Sequence, residues 1–160
     1  MGSLTVKIEG LSQLQQAMQA LSKKTSTRIA VKAMRKGGVV IREQARANAP
    51  TLKQKVPYRK AGTLRKAISS STKIGKNGQV NTKIFVRTLK QSKIDAFKAR
   101  TGKSGAKNPN DPYYWRFVEF GTSKMAAKPF LRPAFQSKKE QATKEIITTL
   151  RDGIIQEGNK

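Results

Sequence analysis

The chain has neither cysteine nor histidine among its 160 residues. The missing cysteines exclude disulfides, thiolate metal sites and thiol nucleophiles. The missing histidines remove the usual general base near neutral pH and the commonest metal ligand. Acid is scarce too: nine Asp and Glu face 34 Lys and Arg, a formal net charge of +25. The apolar runs extend only a few residues, too short to span a bilayer, so no membrane contact is expected. The first twenty residues are polar and alternating and do not read as a signal peptide. The expectation is a soluble protein made in a reducing compartment. Its length suits one domain over residues 1–160, and its 36% hydrophobic content suits a lean core.

What is present is unevenly spread. Between Gln44 and Ile94 there is no acid at all, yet thirteen Lys and Arg. Such a bias implies an anionic partner, with nucleic acid the default, against the plainer reading of a solvated basic surface. The aromatics are concentrated as well. Seven of the ten lie between Tyr113 and Phe135: Tyr113, Tyr114, Trp115, Phe117, Phe120, Phe130 and Phe135. Large aromatics contribute most of the burial energy in a small domain, so this segment is expected at the centre of the fold.

Periodicity gives the elements. Leu4, Val6 and Ile8 alternate with polar residues, as in a short strand ended by Gly10. Leu11, Leu14, Ala17, Met18 and Leu21 follow helical spacing, with Ser12 a candidate N-cap. After a polar break at 22–26 a second helix runs to Asn48, its apolar face marked by Ile29, Ala33, Val40, Ile41 and Ala45. Gly37-Gly38 inside it marks a kink or a close helix–sheet contact, and Pro50 stops it. Residues 51–62 read as a basic loop, and 63–74 as a helical turn leading into a strand. Gly75-Lys76-Asn77-Gly78 is a hairpin signal, because Asn-Gly accepts positive φ, and Val80 to Thr88 alternate as the returning strand. Residues 89–112 read as a long flexible basic loop, and Tyr113–Phe120 as the last strand. Pro133 suits the first turn of a C-terminal helix carrying Phe135, Ala142, Ile146, Leu150 and Ile154, frayed over 156–160. The expected fold is α+β: a small antiparallel sheet packed against two or three helices, with the basic loop between the last two strands.

Single residues carry further expectations. Glu119 falls among apolar neighbours. It either reaches water at a strand end, caps backbone N–H groups of the following loop, or pairs with Arg132. A catalytic role finds no second acid, histidine or ligand set nearby, and no cofactor or metal is called for. Gly121 supplies a turn conformation that a side chain would forbid. Pro129 and Pro133 bracket Phe130 and Leu131, either as a stiff cover for the core or as a preordered docking surface anchored by Phe130. In the basic loop, Lys90, Lys93, Lys98, Arg100, Lys103 and Lys107 either confer solubility or contact DNA phosphates or an acidic neighbouring ring. Phe97 is the one stacking candidate there.

The run Phe117-Val118-Glu119-Phe120-Gly121-Thr122, then Met125, then Pro129-Phe130-Leu131-Arg132-Pro133-Ala134-Phe135, closely resembles a tailed-phage family. This is the "gene product ten-like" tail-component family, also described as neck or tail-completion proteins. Ile8-Glu9-Gly10-Leu11 resembles the family's opening strand and helix start, and Ala49-Pro50 its second-helix stop. Ala61 to Ile68 resembles its central G-x-L-R-x-S-I segment, with Ala67 where a serine is common. The basic stretch at 89–112 departs from the short connection expected in the family. The resemblance implies a non-catalytic virion protein, made in the host bacterial cytoplasm. It would form a homo-oligomeric ring, of six copies, around the DNA channel between the head connector and the tail tube or tail terminator. Its docking motif would be Glu119, Phe120, Gly121, Thr122, Pro129, Phe130, Leu131, Arg132 and Pro133.

Two other classes share the charge. A chromosomal or ribosomal nucleic-acid-binding protein would need stacking aromatics interleaved with its Lys and Arg, and these are not interleaved here. A basic nuclease-type toxin would need an acid pair or metal cluster, and the sequence offers neither.

Overall fold

A 26-residue helix and a 28-residue helix, packed antiparallel, form the frame of the molecule. The computed structural model describes residues 10–52 and 56–158. The elements in chain order are α1 (Leu11–Ala20), α2 (Lys23–Asn48), α3 (Thr63–Ala67), β1 (Ile68–Ile74), β2 (Val80–Val86), α4 (Gln91–Thr101), α5 (Trp115–Phe120) and α6 (Leu131–Gly158). A single 3-10 turn, Gly105–Lys107, lies between α4 and α5. The class is α+β. The expected strand at Leu4–Ile8 lies outside the described residues.

Antiparallel pairing of α2 and α6 follows from their contacts. Arg28 pairs with Glu157 at one end, Ile29 meets Gly153, and Asn48 Nδ2 donates to Phe130 O at the other end (3.4 Å). The two glycines of α2 explain how close the neighbours come. A Cβ on Gly37 would lie 2.5 Å from Ile146 Cγ1 and 3.1 Å from Ala142 O on α6. A Cβ on Gly38 would lie 2.5 Å from Thr82 Cγ2 on β2. The pair therefore lets α2 approach both a helix and the sheet, and α2 runs through it without interruption. Ala usually gains about 1 kcal/mol over Gly in a helix, but this crowding overrides that gain. Gly37→Val is expected to cost roughly 2–3 kcal/mol, read as a lower urea midpoint at unchanged slope. A midpoint equal to wild type would show that the packing there is not tight.

Local signals place the helix ends. Ser22 is the N-cap of α2, its Oγ accepting from Thr25 N (3.3 Å), so the helix starts inside the stretch expected to break it. Ser12 does not cap α1; Gly10 does, at φ 91°. Ala49 and Pro50 end α2 as expected, with Ala49 extended at φ −63°, ψ 123°. Arg46 on the last turn of α2 donates from Nε and Nη2 to Ile68 O (3.1 and 2.8 Å), fixing where β1 begins.

Among the described residues the sheet consists of β1 and β2, antiparallel in the register Ile68↔Val86 to Ile74↔Val80 and closed by the expected hairpin turn. Gly75 N donates to Gln79 O (2.7 Å) and Gly78 sits at φ 75°. Thr72 and Thr82 hydroxyls meet across the strands at 2.8 Å, and Thr82 Oγ1 also donates to Met34 O on α2 (3.1 Å). The core lies where α2, α3, both strands and the start of α6 converge: Ala45, Ala49, Leu64, Ile68, Val86, Phe130 and Ala134.

Two expectations are corrected. Tyr113–Phe120 is no strand: Trp115–Phe120 form α5, and among the described residues the sheet is the β1–β2 pair alone. The stretch 89–112 is not a featureless loop between strands, since it holds α4 and the 3-10 turn. Helix α6 extends to Gly158.

Candidate functional site

The aromatic segment is a helical turn folded back against the start of α6. Trp115 N donates to Pro112 O (2.9 Å), which opens α5 directly behind the buried Pro112. Tyr114, Trp115 and Val118 lean on the core, and this is helical spacing. Gly121 ends α5 at φ 76°, with its N–H on Phe117 O (2.9 Å). A Cβ there would lie 2.9 Å from both Ala127 N and Met125 O, so conformation and space both demand glycine. Thr122 and Met125 then exchange backbone hydrogen bonds (2.9 and 3.2 Å), and Lys128 N donates to Val118 O (2.8 Å). The loop thus lies along the helix that precedes it.

Glu119 is the hinge of this arrangement. Only 6% of its surface is exposed. Its Oε2 accepts from Phe130 N (2.8 Å) and Leu131 N (3.1 Å), and its Oε1 accepts from Arg132 N (3.1 Å). A helix start leaves four backbone donors without intrahelical acceptors. Here one carboxylate takes three of them, and Pro133 at the next position has no N–H to satisfy. The negative charge also faces the positive end of a 28-residue helix. Of the three readings of Glu119, capping describes this geometry, and the contact with Arg132 is made to its backbone.

The remaining motif residues divide by exposure. Phe130 is wholly buried in its own core. Leu131 and Pro133 are half-buried, while Thr122, Pro129 and Arg132 are exposed. Phe120 is 75% exposed and Phe117 50%, with Met125 also exposed beside the Gly121 loop. Phe117 and Phe120, one helical turn apart on α5, make an apolar projection, of which the sequence reading named Phe120. A second apolar surface is a groove of about 740 Å³ lined by Met34, Ile41, Ile84, Phe135 and Ile146, with Arg132 and Lys139 also lining it. Phe135, 56% exposed, lies in it.

The six basic residues at 90–107 are all exposed. Lys93, Lys98 and Arg100 belong to α4, Lys90 caps its start, Lys103 follows it and Lys107 ends the 3-10 turn, in an excursion pinned at its base. Arg59 donates from Nη1 to Ala106 O (2.6 Å) and from Nη2 to the Tyr113 hydroxyl (2.9 Å). Its guanidinium also lies 5.0–5.3 Å from the ring centres of Tyr58, Tyr113 and Tyr114. Burial raises the Tyr114 phenol above its ordinary value, and the nearby Arg59 charge pulls it back. The buried Asp111 carboxylate accepts from Leu89 N (3.2 Å). Phe97 is half-buried. Among the described residues, no group of three or more Asp and Glu side chains could hold a metal, and no helix is long and apolar enough to cross a membrane.

Known proteins place the chain in a family. The model of the family described as "Bacteriophage HK97-gp10, putative tail-component" matches residues 12–121, well over half of the chain. The match runs from α1 through the Glu119-Phe120-Gly121 end of α5, and the Pro129–Phe135 part of the motif lies beyond it. No curated protein and no solved structure gave a significant match. This chain belongs to the HK97 gp10-like family of bacteriophage tail components, structural proteins of the virion that assemble with other phage structural proteins.

Proposed function

We propose that the protein completes the neck of the phage particle, as one domain per copy, in a closed ring of six around the DNA exit channel. The ring joins the head connector to the tail tube or tail terminator. The protein is made in the host bacterial cytoplasm and its role is architectural, without catalysis. Membership of the tail-component family carries this reading. The surface supports it. Head-to-tail rings need two unlike patches on each subunit, and the described residues offer two: the Phe117/Phe120 projection and the apolar groove between α2, β2 and α6. In the ring, the projection of one copy seats in the groove of the next. Glu119, Gly121, Phe130 and Pro133 hold the projection in place from within. Phe120, Thr122 and Pro129 form its outer face, while Leu131 and Arg132 belong to the groove that receives it. Lys90, Lys93, Lys98, Arg100, Lys103 and Lys107 face the channel and meet DNA phosphates without reading sequence.

The charge sets the order of assembly. A net +25 per copy keeps the free protein monomeric, so the ring forms only on a template: connector, tail end or DNA. The test mixes tagged protein with assembled tails or DNA-filled heads across a salt series, followed by negative-stain imaging. A ring at the head–tail junction is expected, with monomers in the partner-free control at low salt. Stable hexamers without a partner would remove the template idea. Binding to free nucleic acid alone, with no binding to heads or tails, would overturn the neck reading.

A further inference from the structure

We propose a phosphate-binding cleft for the nucleic-acid backbone, built from Lys60, Lys66 and Arg87. The three cations come from separate places in the chain: the turn before α3, α3 itself and the residue after β2. They line one cleft of about 260 Å³, together with Thr63, Ser69 and Asn110. All three belong to the acid-free stretch from Gln44 to Ile94, so no carboxylate close in sequence can neutralise them.

The walls are fixed before any ligand arrives. Arg87 N donates to Ala67 O (2.9 Å), which ties the end of β2 to the end of α3. Thr63 Oγ1 lies 2.9 Å from Lys60 O and 3.0 Å from Pro109 O, joining the Lys60 turn to the segment that carries Asn110. Ser69 Oγ donates to Ala67 O (3.3 Å). None of the three cations takes part in the ion pairs found among the described residues. The neighbouring acid, Asp111, is buried and receives the Leu89 N–H. Three unneutralised cations beside hydroxyl and carboxamide groups suit a tetrahedral oxyanion. No aromatic lines the cleft, so nothing there stacks on a base, and the contact is independent of sequence. This site is distinct from the lysines of α4, and it does not depend on the ring, because the isolated protein carries it whole.

The test titrates a fluorescent 20-base-pair duplex of arbitrary sequence with full-length protein at several salt concentrations. Removing one phosphate-binding cation lowers the slope of log affinity against log salt by roughly 0.9. The triple variant Lys60→Gln, Lys66→Gln, Arg87→Gln is expected to lower the slope by about 2–3. A control triple, Lys24→Gln, Lys32→Gln, Lys144→Gln, removes the same charge from positions on α2 and α6 and should lower it by less than half as much. Equal reductions in the two triples would overturn the proposal. Should the cleft variant fold poorly, acetylation of the wild-type lysines, read by mass spectrometry, decides the matter. Duplex DNA should shield Lys60 and Lys66 but leave Lys24 reactive. Equal labelling of all three overturns the proposal, as does shielding by inorganic phosphate but not by DNA at equal ionic strength.

Discussion

Replacing Glu119 with Ala is expected to destabilise the protein by about 3–5 kcal/mol, a large share of the roughly 5–15 kcal/mol that holds a domain of this size together. An ordinary N-cap contributes about 1 kcal/mol. Glu119 does more because it is nearly buried and its two oxygens receive three N–H groups. Without it, Phe130, Leu131 and Arg132 keep their donors but have no acceptor, and water reaches the buried Phe130 N–H poorly. The tie between α5 and α6 goes at the same time. Glu119→Gln should fall in between, near about 2 kcal/mol, since one carbonyl oxygen can still serve Phe130 and Leu131 while the amide N–H₂ would face the Arg132 N–H. Urea titrations followed by circular dichroism give the order wild type, Gln, Ala. Hydrogen exchange should show the weakening first at the opening turn of α6. An Ala variant with the wild-type midpoint would mean that the cap is replaceable by solvent.

The motif was legible in the sequence, but the element that carries it was not. Tyr114 to Phe120 is rich in aromatics with a Val among them, so it has the composition of a strand, and over so few residues a period of two is hard to tell from a helical one. What settles the matter is tertiary. Glu119 has to reach the start of α6, and a helical turn between Pro112 and Gly121 turns Trp115, Val118 and Glu119 inward while Phe117 and Phe120 face out. Helix α4 escapes a sequence reading for the opposite reason. It buries no residue, so it has no apolar stripe to read. Its Lys, Ala, Arg and Gln are good helix formers, and Gln91–Asp95 and Asp95–Lys98 contacts support it locally. Composition alone makes it look like a loop. By contrast, signals with a mechanism in the backbone located the end of α2 at Ala49-Pro50, the Asn-Gly turn and Pro133 in the first turn of α6. The Gly37-Gly38 pair did mark a close approach, although one of its two neighbours is a helix that only the tertiary structure supplies.

Phe120→Ser separates assembly from folding. At 75% exposure the ring contributes little to the folded state, and the midpoint of unfolding should move by less than about 0.5 kcal/mol. In the proposed ring, however, Phe120 is the anchor of every subunit joint. Removing a buried aromatic anchor costs about 2–4 kcal/mol per joint, and a closed ring repeats that cost all the way round. The expected result is a stable, monomeric protein with a fall of at least about 100-fold in joined particles when it complements particles lacking the protein. Because the chain has no native cysteine, the joint can also be trapped without background. A Phe120→Cys copy mixed with a Met34→Cys copy on the template should give a disulfide heterodimer, since Met34 lines the groove. Disulfides between two Phe120→Cys copies instead would indicate a two-fold arrangement, which closes as a dimer and not as a ring. Full joining activity from Phe120→Ser would show that the projection meets nothing that matters. An abolished ring with intact DNA binding places Phe120 at the subunit joint, apart from the basic surface.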